Sequence, residues 1–188
     1  MRLKIPMREF QNKTYWIVGA SEGLGRALAI QLAKVGTKVI ISARSEERLI
    51  GLSEEIGSNT MVLPMDVSDR SSVQKAFSKL PKSLDGFIFV SGVYWHMSAS
   101  SWDETKAEEM VDVNLVGAMR CLAHLIPKFI NQGFGHIVLT GSIAGYRGLP
   151  GSVGYCASKA GLMSLAETLK IDLAKNKIDV QLLNPGYI

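Results

Sequence analysis

Six short, almost entirely apolar segments, separated by segments with helical periodicity, most constrain the fold of this chain. The apolar segments read TYWIVGA, KVIISA, TMVLPMDV, GFIFVSG, HIVLTGS and VQLLNPG. Strands that are buried on both faces of a parallel sheet are apolar along their whole length, and their connections cross over through helices. The alternation therefore predicts a doubly wound α/β fold, a parallel sheet of six strands in the order 3-2-1-4-5-6.

The intervening segments predict amphipathic helices. Apolar residues that recur at helical spacing, and that we expect to share a face, are Leu24, Ala27, Leu28 and Leu32, then Leu49, Leu52 and Ile56, then Val73, Ala76, Phe77 and Leu80. Ser101 and Glu104 match a capping box ahead of a longer helix. Two long helices are predicted over residues 105–131 and 152–176.

Length and composition indicate one globular domain spanning residues 1–188. Apolar residues make up 47% of the 188, enough for a sizeable core. The net charge of +4 is dispersed, which argues against nucleic-acid binding. The two cysteines, Cys121 and Cys156, are typical of reduced thiols, and no metal site is expected. With no signal-peptide core and no run of about 20 apolar residues, we expect a cytoplasmic protein that does not enter a membrane.

A glycine-rich turn follows the first predicted strand directly. Its sequence, GASEGLGRALA, places Gly19, Gly23 and Gly25 at the junction between strand and helix. Such a turn lets the backbone approach a pyrophosphate and directs helix N–H groups at it. A plain tight turn also explains three glycines, but the position after strand one favours dinucleotide binding. The turn residues expected to contact the cofactor are Gly19, Ser21, Glu22, Gly23, Leu24 and Gly25.

The end of the second strand bears on the choice of cofactor. NAD-selective sites usually place an acid there to accept the ribose 2′-OH, whereas this chain has Ala43 and Arg44. Because a guanidinium suits a 2′-phosphate, the sequence favours NADP(H) over NAD(H). Two readings oppose this preference: Arg44 as a surface or capping arginine, and Glu22 as a source of repulsion for a phosphate.

Tyr155 and Lys159 lie four residues apart at the start of the last predicted helix, so they share one face. An ammonium beside a phenol favours the phenolate, which suits proton transfer. A tyrosine packed on the stem of a lysine is the ordinary alternative. Ser142 lies at the carboxyl end of strand five, where open α/β sheets bind ligands, and Asn114 lies on the preceding helix.

These motifs together resemble the short-chain dehydrogenase/reductase family along almost the whole chain. The resemblance rests on the glycine turn, Asn114, Ser142, the Tyr155-x-x-x-Lys159 pair and the closing NPG. It implies a Rossmann fold and hydride transfer between a nicotinamide and a carbonyl or alcohol carbon of a small molecule. It further implies that Tyr155 is the general acid/base, Lys159 binds the ribose and tunes the phenol, Ser142 binds the substrate oxygen and Asn114 supports a proton-relay water.

The same resemblance implies further cofactor contacts. Asp66 and Val67 should contact the adenine, Ser91 and Gly92 should lie beside the ribose, and Asn114, Tyr155 and Lys159 should lie at the nicotinamide end, with its carboxamide contacted by Pro185, Gly186 and Ile188. Asp66 as the cap of a turn and Pro185 as the end of a strand are the alternatives. Tyr94, Trp95 and His96 follow strand four and are candidates for the wall of a substrate pocket.

The sequence also departs from the family pattern. Val18 replaces the threonine that often precedes the first glycine, and Phe89 and Val90 replace both amides of the usual Asn-Asn-Ala-Gly. The chain stops at NPGYI, so we expect neither a seventh strand nor a C-terminal segment that covers the substrate. A non-catalytic NADP-binding sensor or partner-binding module, and an NAD-linked dehydratase or epimerase, are the rival functions.

Assembly is predicted from the two long helices. They carry apolar and small residues beyond what one sheet face needs, namely Val113, Val116, Ala160 and Ser164. Family resemblance implies that these helices pair with a symmetry mate, which would make the protein a homodimer or homotetramer.

Overall fold

The computed structural model describes residues 8–186, and its sheet has the predicted topology. Six parallel strands run in the order β3-β2-β1-β4-β5-β6. The strands are β1 (Thr14–Val18), β2 (Lys38–Ser42), β3 (Thr60–Val62), β4 (Gly86–Phe89), β5 (Gly135–Thr140) and β6 (Ile178–Leu183). The sequence therefore identified both the fold class and the strand order correctly.

Six α-helices connect the strands. They are α1 (Gly23–Lys34), α2 (Glu46–Ile56), α3 (Arg70–Ser78), α4 (Glu104–Val111), α5 (Gly117–Gln132) and α6 (Val153–Asp172). A π-helical segment, Asp112–Val116, joins α4 to α5 without a break in the chain's helical course. Short 3₁₀ turns lie at Ala99–Ser101, Ile143–Gly145 and Ala174–Asn176.

Alternate residues of each strand build two separate cores. In β1, Trp16 and Val18 face the larger core, which also contains apolar side chains of α3, α5 and α6. Tyr15 and Ile17 face the smaller core, together with side chains of α1 and α2. Both faces of the four inner strands are therefore buried, which explains why their sequences are almost continuously apolar. The edge strands β3 and β6 expose Met61, Asp179 and Gln181.

The structure corrects the predicted face of α1. Gly25, Ala29 and Leu32 are buried, whereas Ala27 is exposed. Gly25 must face inward, because a Cβ atom there would collide with the carbonyl oxygen of Gly19. That contact sets the rotation of the helix, so residues at i, i+4 and i+7 from Gly25 face the sheet.

The long helix predicted over residues 105–131 also differs. Its N-cap is Asp103, whose carboxylate accepts a hydrogen bond from the Lys106 N–H, so the expected Ser101 capping box is wrong. Ser101 ends the preceding 3₁₀ turn instead. Val113, expected in an intersubunit seam, is 6% exposed and belongs to the larger core. Ala160 and Ser164 do lie on the exposed surface of α6.

One helical stretch among residues 8–186, Glu104–Gln132, is long and apolar enough to cross a membrane. Its most apolar window has a mean hydropathy of 1.2, and 44% of that window is buried inside the fold. Leu122, Leu125 and Phe129 of this stretch pack in the larger core. Its hydropathy is that of a helix packed against a sheet.

A buried polar chain crosses the sheet near the amino ends of the strands. The Tyr15 hydroxyl lies 3.0 Å from Nδ1 of His136, and Nε2 of His136 lies 3.2 Å from Oε1 of Gln181. Tyr15 reaches over β4 at Gly86, where a side chain would collide with the Tyr15 ring. A neutral His136 that carries its proton on Nε2 satisfies both neighbours, with the hydroxyl donating to Nδ1.

His136 should make the fold sensitive to acid. Burial, aided by the nearby charge of Arg8, lowers the pKa of His136 from 6.5 to about 4. The unfolded chain therefore binds one more proton than the folded chain between these values, and stability falls as the pH drops through that window. We expect a loss of up to about 3 kcal/mol in the free energy of unfolding between pH 7 and pH 4 from this group.

Urea unfolding as a function of pH measures this loss. His136→Gln should flatten the slope between pH 6.5 and pH 4, whereas the matched variant His124→Gln keeps His136 and should retain it. An unchanged slope in His136→Gln would contradict the assignment.

Candidate active site

Three adjoining cavities lie along the carboxyl ends of the strands. We call them the glycine-turn cavity (about 320 Å³), the lysine cavity (about 230 Å³) and the serine cavity (about 320 Å³). The first two share Leu24, Val90, Gly92 and Val93 in their linings. The last two share Tyr94, Ser142, Tyr155 and Gly186. A single ligand, or two ligands in contact, can therefore occupy the whole row.

The glycine-turn cavity brings together most of the residues expected to bind the cofactor. Its lining includes Gly19, Ser21, Glu22, Gly23, Leu24, Gly25, Arg44, Asp66, Val67, Ser91 and Gly92. These residues come from the ends of β1, β2, β3 and β4, which meet at one edge because the strands are parallel.

Close backbone packing explains the glycines of the turn. Gly19 has a φ of +95°, and a Cβ atom there would collide with the backbone of Ser91. The side chain of Val90 fills the space over Gly25, so the valine that replaces a family amide packs against the start of α1. The backbone of the turn therefore borders the cavity directly, as a pyrophosphate site requires.

Asp66 and Val67 form the far wall of the same cavity. The Asp66 carboxylate accepts hydrogen bonds from the N–H and hydroxyl of Ser68, at 2.9 and 2.6 Å, so it caps its own turn while it lines the cavity. The Val67 carbonyl accepts a hydrogen bond from Arg120 at 3.1 Å. Arg120 also donates to Asp112 at 2.6 Å, which ties this wall to the π-helical segment.

The charged rim of the cavity contains one residue, Arg48, that was not predicted from the sequence. Arg44 is exposed and lines the cavity, and Arg48 lines it from the first turn of α2. Glu22 forms an ion pair with Arg48, so the carboxylate predicted to repel a phosphate is balanced by a guanidinium. Arg48 lies in the first turn of α2, whereas Arg44 precedes the N-cap Ser45, so no helical spacing relates the two and no sequence pattern marked Arg48.

The lysine cavity contains Lys159, Tyr155 and Ser142. Lys159 is 4% exposed, and its Nζ donates to the carbonyl of Thr140 at 2.8 Å. Burial lowers the pKa of Lys159 to about 8. Nζ lies 5.6 Å from the centroid of the Tyr155 ring, so the two residues share a face as predicted. An ammonium has three N–H donors, which leaves donors for ligand oxygens in the cavity.

Asn114 lies in the π-helical segment and is fully buried. Its Oδ1 accepts from the N–H of Val93 at 2.7 Å, and its Nδ2 lies 3.0 Å from both the Val93 carbonyl and the Ser158 hydroxyl. The side chain therefore joins the loop after β4 to α6. All of these amide contacts are made to protein atoms, so the side chain braces the site.

The serine cavity is bordered by Ser142 and Tyr155. Ser142 is 7% exposed, and its hydroxyl oxygen accepts from the N–H of Ala144 at 3.1 Å. A hydroxyl that accepts in this way still has its own hydrogen to donate. Gly186 lines both this cavity and the lysine cavity, and Pro185 lines the latter. Ile188, expected at the carboxamide, lies outside the described residues.

Of the three candidates for the pocket wall, Tyr94, Trp95 and His96, only Tyr94 lines the serine cavity. The His96 ring instead packs over Gly151, where a Cβ atom would collide with it. The rest of the lining was not anticipated and consists of Ile143, Ala144, Leu149 and Ser152. They come from loops whose path depends on packing, and no periodic pattern marks them.

Fold and site together define an α/β oxidoreductase that uses a nicotinamide dinucleotide. The family model described as short chain dehydrogenase matches residues 13–188. The chain belongs to the short-chain dehydrogenase/reductase family. It is 32% identical to the 3-oxoacyl-(acyl-carrier-protein) reductase FabG of Rickettsia typhi, over 97% of this chain and 75% of the relative. It is equally 32% identical to the protein of that name from Aquifex aeolicus, over 96% of this chain and 75% of the relative.

The solved structures agree with the fold. A protein described as a member of the short chain dehydrogenase/reductase family superposes with a TM-score of 0.90 at 27% identity. The superposition covers 95% of this chain and 76% of that one. The overall fold is therefore that of a known member of the short chain dehydrogenase/reductase family.

Removing the amide of Asn114 should destabilise the protein. Asn114→Ala removes the partners of both backbone groups of half-buried Val93, and we expect the free energy of unfolding to fall by about 1 to 3 kcal/mol. Urea unfolding measures the change. The exposed Asn131 on α5 provides the control, since Asn131→Ala breaks no buried contact. Equal stability of the two variants would contradict the bracing role.

Proposed function

We propose that this protein is an NADP(H)-dependent oxidoreductase that transfers hydride between the nicotinamide and a carbonyl or alcohol carbon, with Tyr155 as the general acid/base. One observation carries the proposal. Tyr155, Ser142 and Lys159 line a single cavity that joins the glycine-turn cavity to the serine cavity. A cofactor in the first and a substrate in the last would therefore meet beside the Tyr155 hydroxyl.

The described residues fit a dinucleotide. The glycine-turn cavity is bordered by backbone that approaches without side chains at Gly19 and Gly25. A Cβ atom at Gly92 would lie 3.3 Å from Oδ1 of Asn114 and 3.7 Å from Nζ of Lys159, so its absence keeps the passage to the lysine cavity open. When bound, the nicotinamide supplies or accepts the hydride.

The chain's own residues then hold the substrate and move the proton. The Ser142 hydroxyl oxygen already accepts from the N–H of Ala144, so the hydroxyl is free to donate its hydrogen to the substrate oxygen. In the reductive direction, Tyr155 gives its proton to the same oxygen as the carbonyl carbon gains hydride, and an alcohol forms. Lys159 binds the ribose hydroxyls, and its cationic form favours the phenolate that remains.

The names of the relatives support the reductive direction. The proteins from Rickettsia typhi and Aquifex aeolicus are named as reductases of a 3-oxoacyl group, whose 3-oxo function is a ketone. Buried Ser142 and half-buried Tyr155 beside one cavity suit the same chemistry. A sensor without turnover would have no use for a proton donor at this position.

The preference for NADP(H) rests on Arg44 and Arg48. Both line the glycine-turn cavity at the end of β2, and Ala43 leaves no acid there to select NAD. A guanidinium binds a phosphate through paired N–H donors.

Assembly as a homodimer or homotetramer through the two long helices stays a prediction. The exposed Met119, 49% accessible, adds an apolar side chain to that surface.

Charge reversal at the end of β2 should switch the cofactor preference. Ala43→Asp with Arg44→Asp removes a partner of the 2′-phosphate and adds acceptors for a 2′-OH, so NADPH should bind about 10- to 100-fold more weakly and NADH more tightly. Fluorescence titration with both cofactors measures this. Arg70→Asp reverses a charge outside the cavities and should change neither constant. Equal dissociation constants for the two cofactors in the unmodified protein would remove the basis of the preference.

Loss of the phenol should abolish turnover selectively. In the full-length protein, Tyr155→Phe should lower kcat by about 10²- to 10⁴-fold while NADPH affinity stays nearly unchanged, because the proton is needed in the transition state. Carbonyl-dependent NADPH oxidation provides the rate. Tyr146, 68% exposed and outside the cavities, provides the control in Tyr146→Phe.

Lys159→Met should behave differently from Tyr155→Phe. Because Lys159 both binds ribose and acts on the phenol, its loss should weaken NADPH binding as well as turnover.

For the Tyr155→Phe variant, near-full activity would refute the assignment of Tyr155 as the proton donor.

A further inference from the structure

Tyr94 lies where the serine cavity meets the lysine cavity, and it lines both. Its ring packs edge-on against the Tyr155 ring, with centroids 5.1 Å apart and an interplanar angle of 73°. Its hydroxyl lies 3.3 Å from the Ser152 hydroxyl. A compound whose oxygen reaches both Ser142 and Tyr155 therefore places its substituents in the cavity that Tyr94 borders.

The loop that carries Tyr94 is held on both sides. Asn114 binds the N–H and the carbonyl of Val93, at 2.7 and 3.0 Å. Further along, the N–H of Met97 donates to the carbonyl of Gly151 at 2.8 Å, and the Met97 side chain is buried. The Tyr94 ring is therefore positioned before a ligand arrives, which lowers the entropic cost of packing a ligand against it.

The serine cavity offers no charged partner. Its lining is Tyr94, Ser142, Ile143, Ala144, Leu149, Ser152, Tyr155 and Gly186. Lys159 lines only the neighbouring cavity, and its Nζ is bonded to the Thr140 carbonyl. Among residues 8–186, no arginine, lysine or histidine lines the serine cavity. A carboxylate enclosed there would lose its hydration without gaining a cation, which is costly.

We propose that the serine cavity takes an uncharged ketone or aldehyde whose apolar substituent packs on the ring of Tyr94, and that Tyr94 determines this specificity. The inference rests on the proposed function, because it takes Tyr155 and Ser142 as the groups that hold the carbonyl oxygen. Ile143 and Leu149 add apolar surface for the same substituent. Among the described residues the lining gives a carboxylate no cation, so keto acids should bind more weakly, and small ketones should bind less well because they bury less apolar surface.

Three ketones test the proposal by NMR titration of the full-length protein saturated with 1,4,5,6-tetrahydro-NADP, whose nicotinamide ring carries no charge and no transferable hydride. Acetophenone and benzoylformate are both phenyl ketones. The second substituent on the carbonyl carbon is a methyl group in acetophenone and a carboxylate in benzoylformate. We expect acetophenone to bind at least about tenfold more tightly. Butanone replaces the phenyl group by ethyl and should also bind about tenfold more weakly than acetophenone.

Variants assign these preferences to residues. Tyr94→Ala should weaken acetophenone binding about tenfold and change butanone binding less than about twofold, whereas Tyr94→Phe keeps the ring and should keep the ratio of the two. Ile143→Arg adds a cation to the cavity and should strengthen benzoylformate binding. Ile143 and Ile171 are 44% and 77% exposed, so both positions accept arginine, and Ile171→Arg on the far end of α6 is the matched control.

The outcomes separate this proposal from the proposed function. Binding does not depend on turnover, so near-full activity of Tyr155→Phe would refute the proton donor and leave the ketone preferences to be judged by themselves. Benzoylformate binding as tightly as acetophenone would overturn the claim that the serine cavity disfavours a carboxylate. Equal weakening of acetophenone and butanone by Tyr94→Ala would overturn the role of Tyr94.

Discussion

The close approach of the β1–α1 turn to the end of β4 is the constraint on which the rest of the site depends. Gly19 lies against the backbone of Ser91, and Gly25 lies against the carbonyl of Gly19, with no room for a Cβ atom at either position. Neighbouring backbone cannot rotate away as a side chain can, so only glycine fits. These contacts set the rotation of α1, and they leave the cavity in front of the turn open to a ligand.

Buried polar groups then hold the opposite half of the site. Asn114 binds Val93 and Ser158, so one amide joins the π-helical segment to the loop after β4 and to α6. Lys159 is held beneath Tyr155 by the carbonyl of Thr140. The donors and the acceptor of the Asn114 amide all have protein partners, so this side chain has one favourable arrangement, which fixes the loop that carries Tyr94. Lys159 is held by one hydrogen bond and keeps N–H donors for a ligand. Three chain segments that are distant in sequence therefore act as one unit.

Charge is distributed unevenly along the row of cavities. Arg44 and Arg48 border the glycine-turn cavity, whereas the serine cavity has uncharged side chains only among the described residues. Glu22 and Asp66 also line the glycine-turn cavity, so it contains charges of both signs. This contrast agrees with the proposed dinucleotide at one end and neutral carbonyl compound at the other. Lys159 lies between them, where burial lowers its pKa to about 8.

The sequence alone determined the fold class and the strand order, and it identified the residues that border the cavities at the glycine turn and at Tyr155. These features could be predicted because the spacing of apolar residues and the positions where strands end are local properties of the sequence. Only the tertiary structure decided which face of α1 is buried, since the contact between Gly25 and Gly19 is a matter of packing. Only the structure shows that Glu22 forms an ion pair with Arg48 and that the Asn114 amide binds Val93. It also shows that Tyr94, and not His96, lines the cavity wall. Each of these joins residues that lie far apart in sequence or on irregular loops, and such contacts follow from three-dimensional packing, which periodicity does not encode.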